Sequence, residues 1–219
     1  LFRSVLALIG TAWLLNKISL LLGERRWSVN SGLWFAATIG AMTYALSAQM
    51  DIYVCLFYAA SWWAGLEFLN TKEEKTRNVS WLYAAFLVAG ISALVKSPLY
   101  SALWVMGYFI YLFISGEWLL FKNRHLYLAL ISGVCAGLLW YIALLLRDGD
   151  AFWNQFILQE QFQKGANGGT LGSLWIPLLH MAAPLTLLIF TAIRSAWMGR
   201  RTASILRFVL AWSIPRSTW

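Results

Sequence analysis

Long apolar stretches return along this chain every twenty-odd residues, separated by short polar connectors, and this spacing constrains the fold more than any single motif. A helix rises about 1.5 Å per residue, so about 20 apolar residues cross the hydrocarbon of a bilayer. Segments of that kind lie at about 1–22, 28–48, 51–69, 79–95, 98–115, 125–146 and 173–193, and a partial eighth begins near 204. The pattern predicts an all-α polytopic membrane protein with about seven transmembrane helices plus a partial eighth, forming one transmembrane domain over 1–219. The chain opens at Leu1 inside one apolar segment and closes at Trp219 soon after another has begun, so it reads as truncated at both ends.

Composition agrees. Of 219 residues 60% are apolar and 12% charged, against about 45–50% and about 25% in soluble domains. A chain this apolar does not stay solvated as a random coil either, which excludes disorder. Cys55 and Cys135 each lie inside an apolar segment without a CxxC or Cys/His pattern. They read as packed small hydrophobes, not as a metal site or a disulfide.

Charge supplies the orientation. The net charge of +8 comes from 17 basic residues, of which ten fall in the connectors at 23–26, 71–78, 116–125 and 194–204. The opposite connectors hold four, namely Lys96, Arg147, Lys164 and Arg216. The excess of Lys and Arg marks the cytoplasmic side. Because the basic residues sit in short runs between apolar segments and not on one solvated surface, no nucleic-acid partner is expected; the expected partner is the lipid bilayer.

Ionisable groups at the ends of membrane helices are costly unless paired or functional. On the outer side these are Asp51 in SAQMD, Lys96 in VKSP, the Arg147, Asp148 and Asp150 cluster, Glu160, Lys164 and Arg216 in SIPRS. Asp51 opens a helix, where the dipole favours a carboxylate, and Lys96 precedes Ser97-Pro98, where a regular helix stops. An acid and a base brought to one aqueous cleft suit a charged substrate. The outer connector at 147–172 is longer than joining two helices requires. Within it Phe152, Trp153, Phe156 and Ile157 share one helical face, with Gln155, Gln159 and Gln163 on another, which predicts an amphipathic helix lying in the membrane interface.

Other features read as structural. Gly133 and Gly137 form a GxxxG, and Gly32, Ala36 and Gly40 share a stripe, both suited to close helix packing. Asn78-Val79-Ser80 matches a glycosylation sequon on the predicted cytoplasmic side and reads as chance. His180 reads as a packed, hydrogen-bonded residue and His125 as an interface residue.

The ordered series of SAQMD, VKSP, the Leu139-Trp140-Tyr141 stretch, FWNQFILQEQFQKG and SIPRS resembles the C-type, polyprenol-dependent membrane glycosyltransferases. The similarity is to the bacterial branch of the lipid A aminoarabinose transferase and, more distantly, to the dolichyl-phosphate-mannose protein mannosyltransferases. It spans nearly the whole chain. Arg3-Ser4 resembles, loosely, the family's Arg-x-x-Ser opening of the second helix. Ser97 stands where the family usually has Gly, Gln161 where it often has His, and Lys164 replaces or shifts an Arg.

The resemblance implies transfer of a sugar from a polyprenyl-phosphate-linked donor to a lipid, glycan or protein acceptor on the periplasmic or extracellular face of a bacterial inner membrane. It implies Asp51, Lys96, Glu160, Arg216 and Arg147 as substrate-binding residues and a divalent metal ion as a possible cofactor, with Asp51 a supporting acid that binds acceptor or metal and is not the base. Lys96, Arg216 and Arg147 would hold the leaving phosphate. The family's catalytic base lies in the loop after its first membrane helix, a segment that the resemblance places upstream of Leu1, so the fragment by itself is expected to be inactive. Two readings from other classes remain beside it. An ion-coupled transporter or lipid flippase would show broken helices at the membrane midplane, and a non-catalytic assembly subunit would leave the outer charges incidental.

Overall fold

The computed structural model describes residues 2–22, 28–70, 77–149 and 152–153, and they are all-helical, with no strand among them. The helices are α1 (Phe2–Leu21), α2 (Ser28–Ala36), α3 (Ile39–Leu46), α4 (Asp51–Asn70), α5 (Val79–Val95), α6 (Pro98–Ile114) and α7 (Arg124–Asp148), with a short 3-10 helix (Trp118–Lys122) before α7. Three of them, α1, α4 and α7, are long and apolar enough to cross a membrane. The segments expected at 173–193 and from 204, and the interfacial helix expected within 147–172 beyond Gly149, lie outside the described residues apart from Phe152 and Trp153.

Local chemistry sets the boundaries. Asn78, Ser97 and Asn123 cap α5, α6 and α7, each side chain accepting a hydrogen bond from a backbone N–H two residues on, at 3.0, 3.3 and 2.9 Å. Such caps satisfy donors that the helix itself leaves orphaned. Asn78 is thereby employed as a helix cap within its sequon-like triplet. At the far end of α6, Gly116 takes a left-handed φ of +75°, the Glu117 N–H bonds to the Leu112 carbonyl and the Gly116 N–H to that of Phe113. These two bonds are the Schellman pattern, and they set where Glu117 leaves the helix.

The expected helix over 28–48 is in fact two. Thr38 adopts an extended backbone; its hydroxyl donates to the Phe35 carbonyl at 2.8 Å and accepts from the Ala41 N–H at 3.2 Å. A Thr side chain that bonds both helix ends offers the backbone an alternative to the continuous ladder. The break leaves Gly32 and Ala36 on α2 and Gly40 on α3, so the three do not form one unbroken stripe.

Successive helices alternate in direction, with α2 and α3 counted as one. Parallel neighbours α1 and α4 meet at Ser4 and Tyr53, whose hydroxyls lie 3.3 Å apart, and further along at Trp13 and Trp63, with ring centroids 6.1 Å apart. Asn16 on α1 accepts from the Ser31 hydroxyl and the Gly32 N–H at 3.0 and 2.8 Å, tying α1 to α2. Interhelical bonds from such polar side chains hold helices where lipid supplies no hydrophobic drive. Helices α5 and α7 also run parallel, with Gly90 backbone to backbone against Gly133, and Tyr141 donating to the Ala93 carbonyl at 2.7 Å.

The main core lies between α4, α5, α6 and α7. Phe86, Trp104 and Tyr108 are fully buried there; Trp104 stacks on Tyr108 at 5.1 Å and Trp62 meets both edge-on. Tyr108 fits because Gly65 has no side chain, and its hydroxyl donates to the Gly65 carbonyl at 3.3 Å. The outside is apolar as well: Leu146 is 83% and Leu139 66% exposed on α7. Large exposed apolar faces on monomeric helices fit a hydrocarbon solvent, not water. Cys135 is exposed on that face, which corrects its expected place in the core; it lies midway between Gly133 and Gly137, which turn toward α5.

Candidate functional site

Among the described residues two ion pairs join parts of the chain far apart in sequence, one at each end of the bundle. At the first, Lys96 donates to Asp51 at 2.5 Å across 45 residues of sequence. The sequence VKSP explains the position of Lys96. Pro98 opens α6 and forces Ser97 into an extended backbone, so α5 ends at Val95 with Lys96 as its C-cap, and the chain reverses in two residues. Asp51 sits in the first turn of α4, where the helix dipole favours its charge. Because α4 starts at the end where α5 finishes, the two side chains meet.

Aromatic residues surround the pair. The Lys96 ammonium lies 5.4 Å from the centre of the Tyr100 ring, and the Tyr58 hydroxyl donates to the Tyr100 carbonyl, linking α4 to α6. Partial burial weakens the ammonium's hold on its proton, but hydrogen bonds to Asp51 and Tyr100 more than offset this and raise the Lys96 pKa above its ordinary value. Lys96 is therefore a cation at neutral pH, and both partners stay partly accessible, with side chains 39% and 27% exposed.

Arg147 lies at the same end, since α7 runs parallel to α5 and Tyr141 is level with Ala93. It turns to its own neighbour, Asp148, through bonds of 2.9 and 3.0 Å, and remains exposed. Glu160 and Arg216 lie outside the described residues, as do Lys164 and His180. Of the five residues expected to bind substrate, the structure brings Asp51 and Lys96 together and sets Arg147 at their end of the bundle.

Sequence reasoning passed over Tyr58 and Tyr100 there and took Arg3 only as part of the loose Arg3-Ser4 resemblance. Arg3 precedes Ser4, which meets Tyr53 in the first turn after Asp51, and it is exposed. It stands one turn above Ala7, which packs with Ala45 and Ile52 beside Asp51. Its signal was a charge in the first turn of an apolar helix. Tyr58 and Tyr100 carried none, because a tyrosine in an apolar segment reads as core.

At the other end, Arg77 grips Glu117 with two bonds of 3.0 Å and lies 5.6 Å from the Phe68 ring centre. The Arg77 side chain is 9% exposed. Nearby, Glu67 accepts from the Trp63 indole at 3.2 Å, and the Tyr83 hydroxyl and His125 Nδ1 lie 3.4 Å apart. Among the described residues no three His, Cys, Asp or Glu side chains converge to hold a metal ion. Asp51 is already engaged by Lys96.

Fold and paired charges together define the class: a protein whose described residues are all-helical, whose apolar helices suit a lipid bilayer and whose bundle carries an ion pair at each end. No protein-family model, curated protein or solved structure matches the chain.

Proposed function

We propose that this chain belongs to a polyprenyl-phosphate-dependent glycosyltransferase of the C type, a multi-pass protein of a bacterial inner membrane that works on its periplasmic or extracellular face. The supporting observation is the meeting of Asp51 and Lys96, two residues of the motif series that stand 45 positions apart, at one end of the bundle. In the reaction an acceptor oxygen attacks the anomeric carbon of the donor sugar and the bond from that carbon to the phosphate oxygen breaks. The electron pair leaves with the polyprenyl phosphate, and the acceptor's proton goes to a carboxylate base. Lys96 carries the charge that such a phosphate needs, with Arg216, Arg147 and Glu160 as further substrate contacts. Asp51 holds Lys96 in place and contacts the acceptor. The lipid tail of the donor runs along the apolar helix faces.

The test is sugar transfer from a polyprenyl phosphate donor in membranes containing the full-length gene product. Lys96→Ala and Asp51→Asn should each reduce transfer at least tenfold at unchanged protein level, since deleting one charged contact to a transition state costs about that much or more. Full activity in both variants would overturn the assignment.

One observation favours a second reading, an ion-coupled transporter or lipid flippase: the interruption at Ala37 and Thr38 between α2 and α3. Discontinuous helices are characteristic of transporter binding sites. Flux into proteoliposomes without covalent transfer would favour it, whereas transfer without flux would dismiss it.

A further inference from the structure

We infer that the short 3-10 helix and the first turn of α7 form a docking foot for anionic phospholipid headgroups at the Arg77 end of the bundle. This inference depends on neither functional reading.

The foot is held from inside. Leu120 is 1% exposed in the main core, and Phe121 meets Phe109 edge-on at 5.8 Å. Anchoring those two turns their neighbours outward: Trp118 is 53% and Leu119 65% exposed, with Trp118 resting one edge on Phe113 at 4.3 Å. Lys122 and Arg124 follow, both exposed. Over 115–131 the sequence has a single acid, Glu117, and Arg77 holds it with two bonds of 3.0 Å. The ion pair thus withdraws the acid that would otherwise neutralise the two cations.

An exposed indole and leucine beside two cations that form no ion pair among the described residues match the chemistry of a bilayer interface. Trp anchors at headgroup depth, Leu reaches the acyl region, and the cations meet phosphate oxygens. A free anion in water would leave Trp118 and Leu119 unused, so the occupant is the lipid headgroup. Each basic residue at an anionic surface contributes about a fivefold preference.

The experiment uses the full chain reconstituted in vesicles of equimolar phosphatidylcholine and phosphatidylglycerol, with retained lipids counted by native mass spectrometry. Expected for the unaltered chain is enrichment of phosphatidylglycerol that falls with added salt. The paired substitutions Lys122→Gln and Arg124→Gln should reduce it by about tenfold or more, whereas Lys122→Arg with Arg124→Lys should preserve it. Enrichment that is absent or indifferent to salt in the unaltered chain would overturn the proposal without any variant. So would equal enrichment in the Gln pair, or displacement of the lipid by millimolar inorganic phosphate, which would mark a site for free anions.

Discussion

Arg77 and Glu117, 40 residues apart, face each other in a two-pronged ion pair that ties the start of α5 to the turn after α6. Planar pairing of this kind is geometrically specific. With Arg77 mostly buried, removing Glu117 takes a two-pronged carboxylate from a cation that has already lost much of its water. Glu117→Gln should destabilise the chain by about 2 kcal/mol, and Arg77→Lys nearly as much because Lys lacks the fork. Thermal unfolding in a mild detergent, with the double variant closing the cycle, checks this; additive single effects would show no coupling.

Gly90 and Gly133 make a second close approach. A Cβ at Gly90 would land inside the Gly133 carbonyl, and one at Gly137 would lie 2.8 Å from the Gly90 oxygen. Backbone cannot swing aside as a side chain does, so Gly90→Ala should cost about 3 kcal/mol or more by prising α5 from α7. Gly107 offers the contrast, since a Cβ there meets only the Trp62 ring at 3.7 Å. Gly107→Ala should leave stability equal or raise it by up to about 1 kcal/mol through helix propensity. Parallel unfolding curves of the two variants decide.

Ala48 is the non-glycine residue with a positive φ, +53°, among those described. It follows α3, and the Gln49 N–H bonds to the Tyr44 carbonyl at 3.1 Å, closing the turn that leads to Asp51. The left-handed region costs an L-residue about 1–2 kcal/mol, part of which a glycine returns as unfolded-chain entropy. Ala48→Gly is expected to stabilise by about 0.5 kcal/mol, read as a small upward shift of the unfolding midpoint. Ala48→Val should lower it clearly.

The Asp51–Lys96 pair predicts a pH dependence of definite sign. The Lys96 pKa is raised in the folded chain, so its contribution to stability is fully present below the ordinary lysine value of about 10.4 and is lost as pH rises through the folded value. Stability should therefore be indifferent to Lys96 near neutral pH and should fall in the alkaline range. Lys96→Met should flatten that alkaline slope while leaving the neutral region in place, as followed by denaturation at stepped pH.

Arg3 supplies a prediction tied to the proposed reaction. Arg3 is an exposed cation at the end of the bundle that carries Asp51 and Lys96, where the proposed anionic donor binds. Arg3→Gln should raise the donor KM several-fold with little change in the unfolding midpoint. Unchanged kinetics would remove Arg3 from the site.

The amino-acid order alone marks where most of the described helices begin and end. The starts read at 51, 79 and 98 coincide with Asp51, Val79 and Pro98, because capping and proline stereochemistry act within a few residues. It also marked Asp51 and Lys96 as unusual, since a charge beside an apolar run is costly wherever the chain goes. Only the tertiary structure decided that those two meet, that Arg147 turns to Asp148 instead, and that Arg77 takes Glu117. Partner choice depends on which helix ends lie at the same height, and that follows from packing at glycines such as Gly65, Gly90 and Gly133. The break at Thr38 likewise escaped the sequence reading, because whether a threonine hydroxyl bonds outward or replaces the ladder depends on what surrounds it. An apolar period specifies a helix; which face it offers, and to whom, is set by neighbours far along the chain.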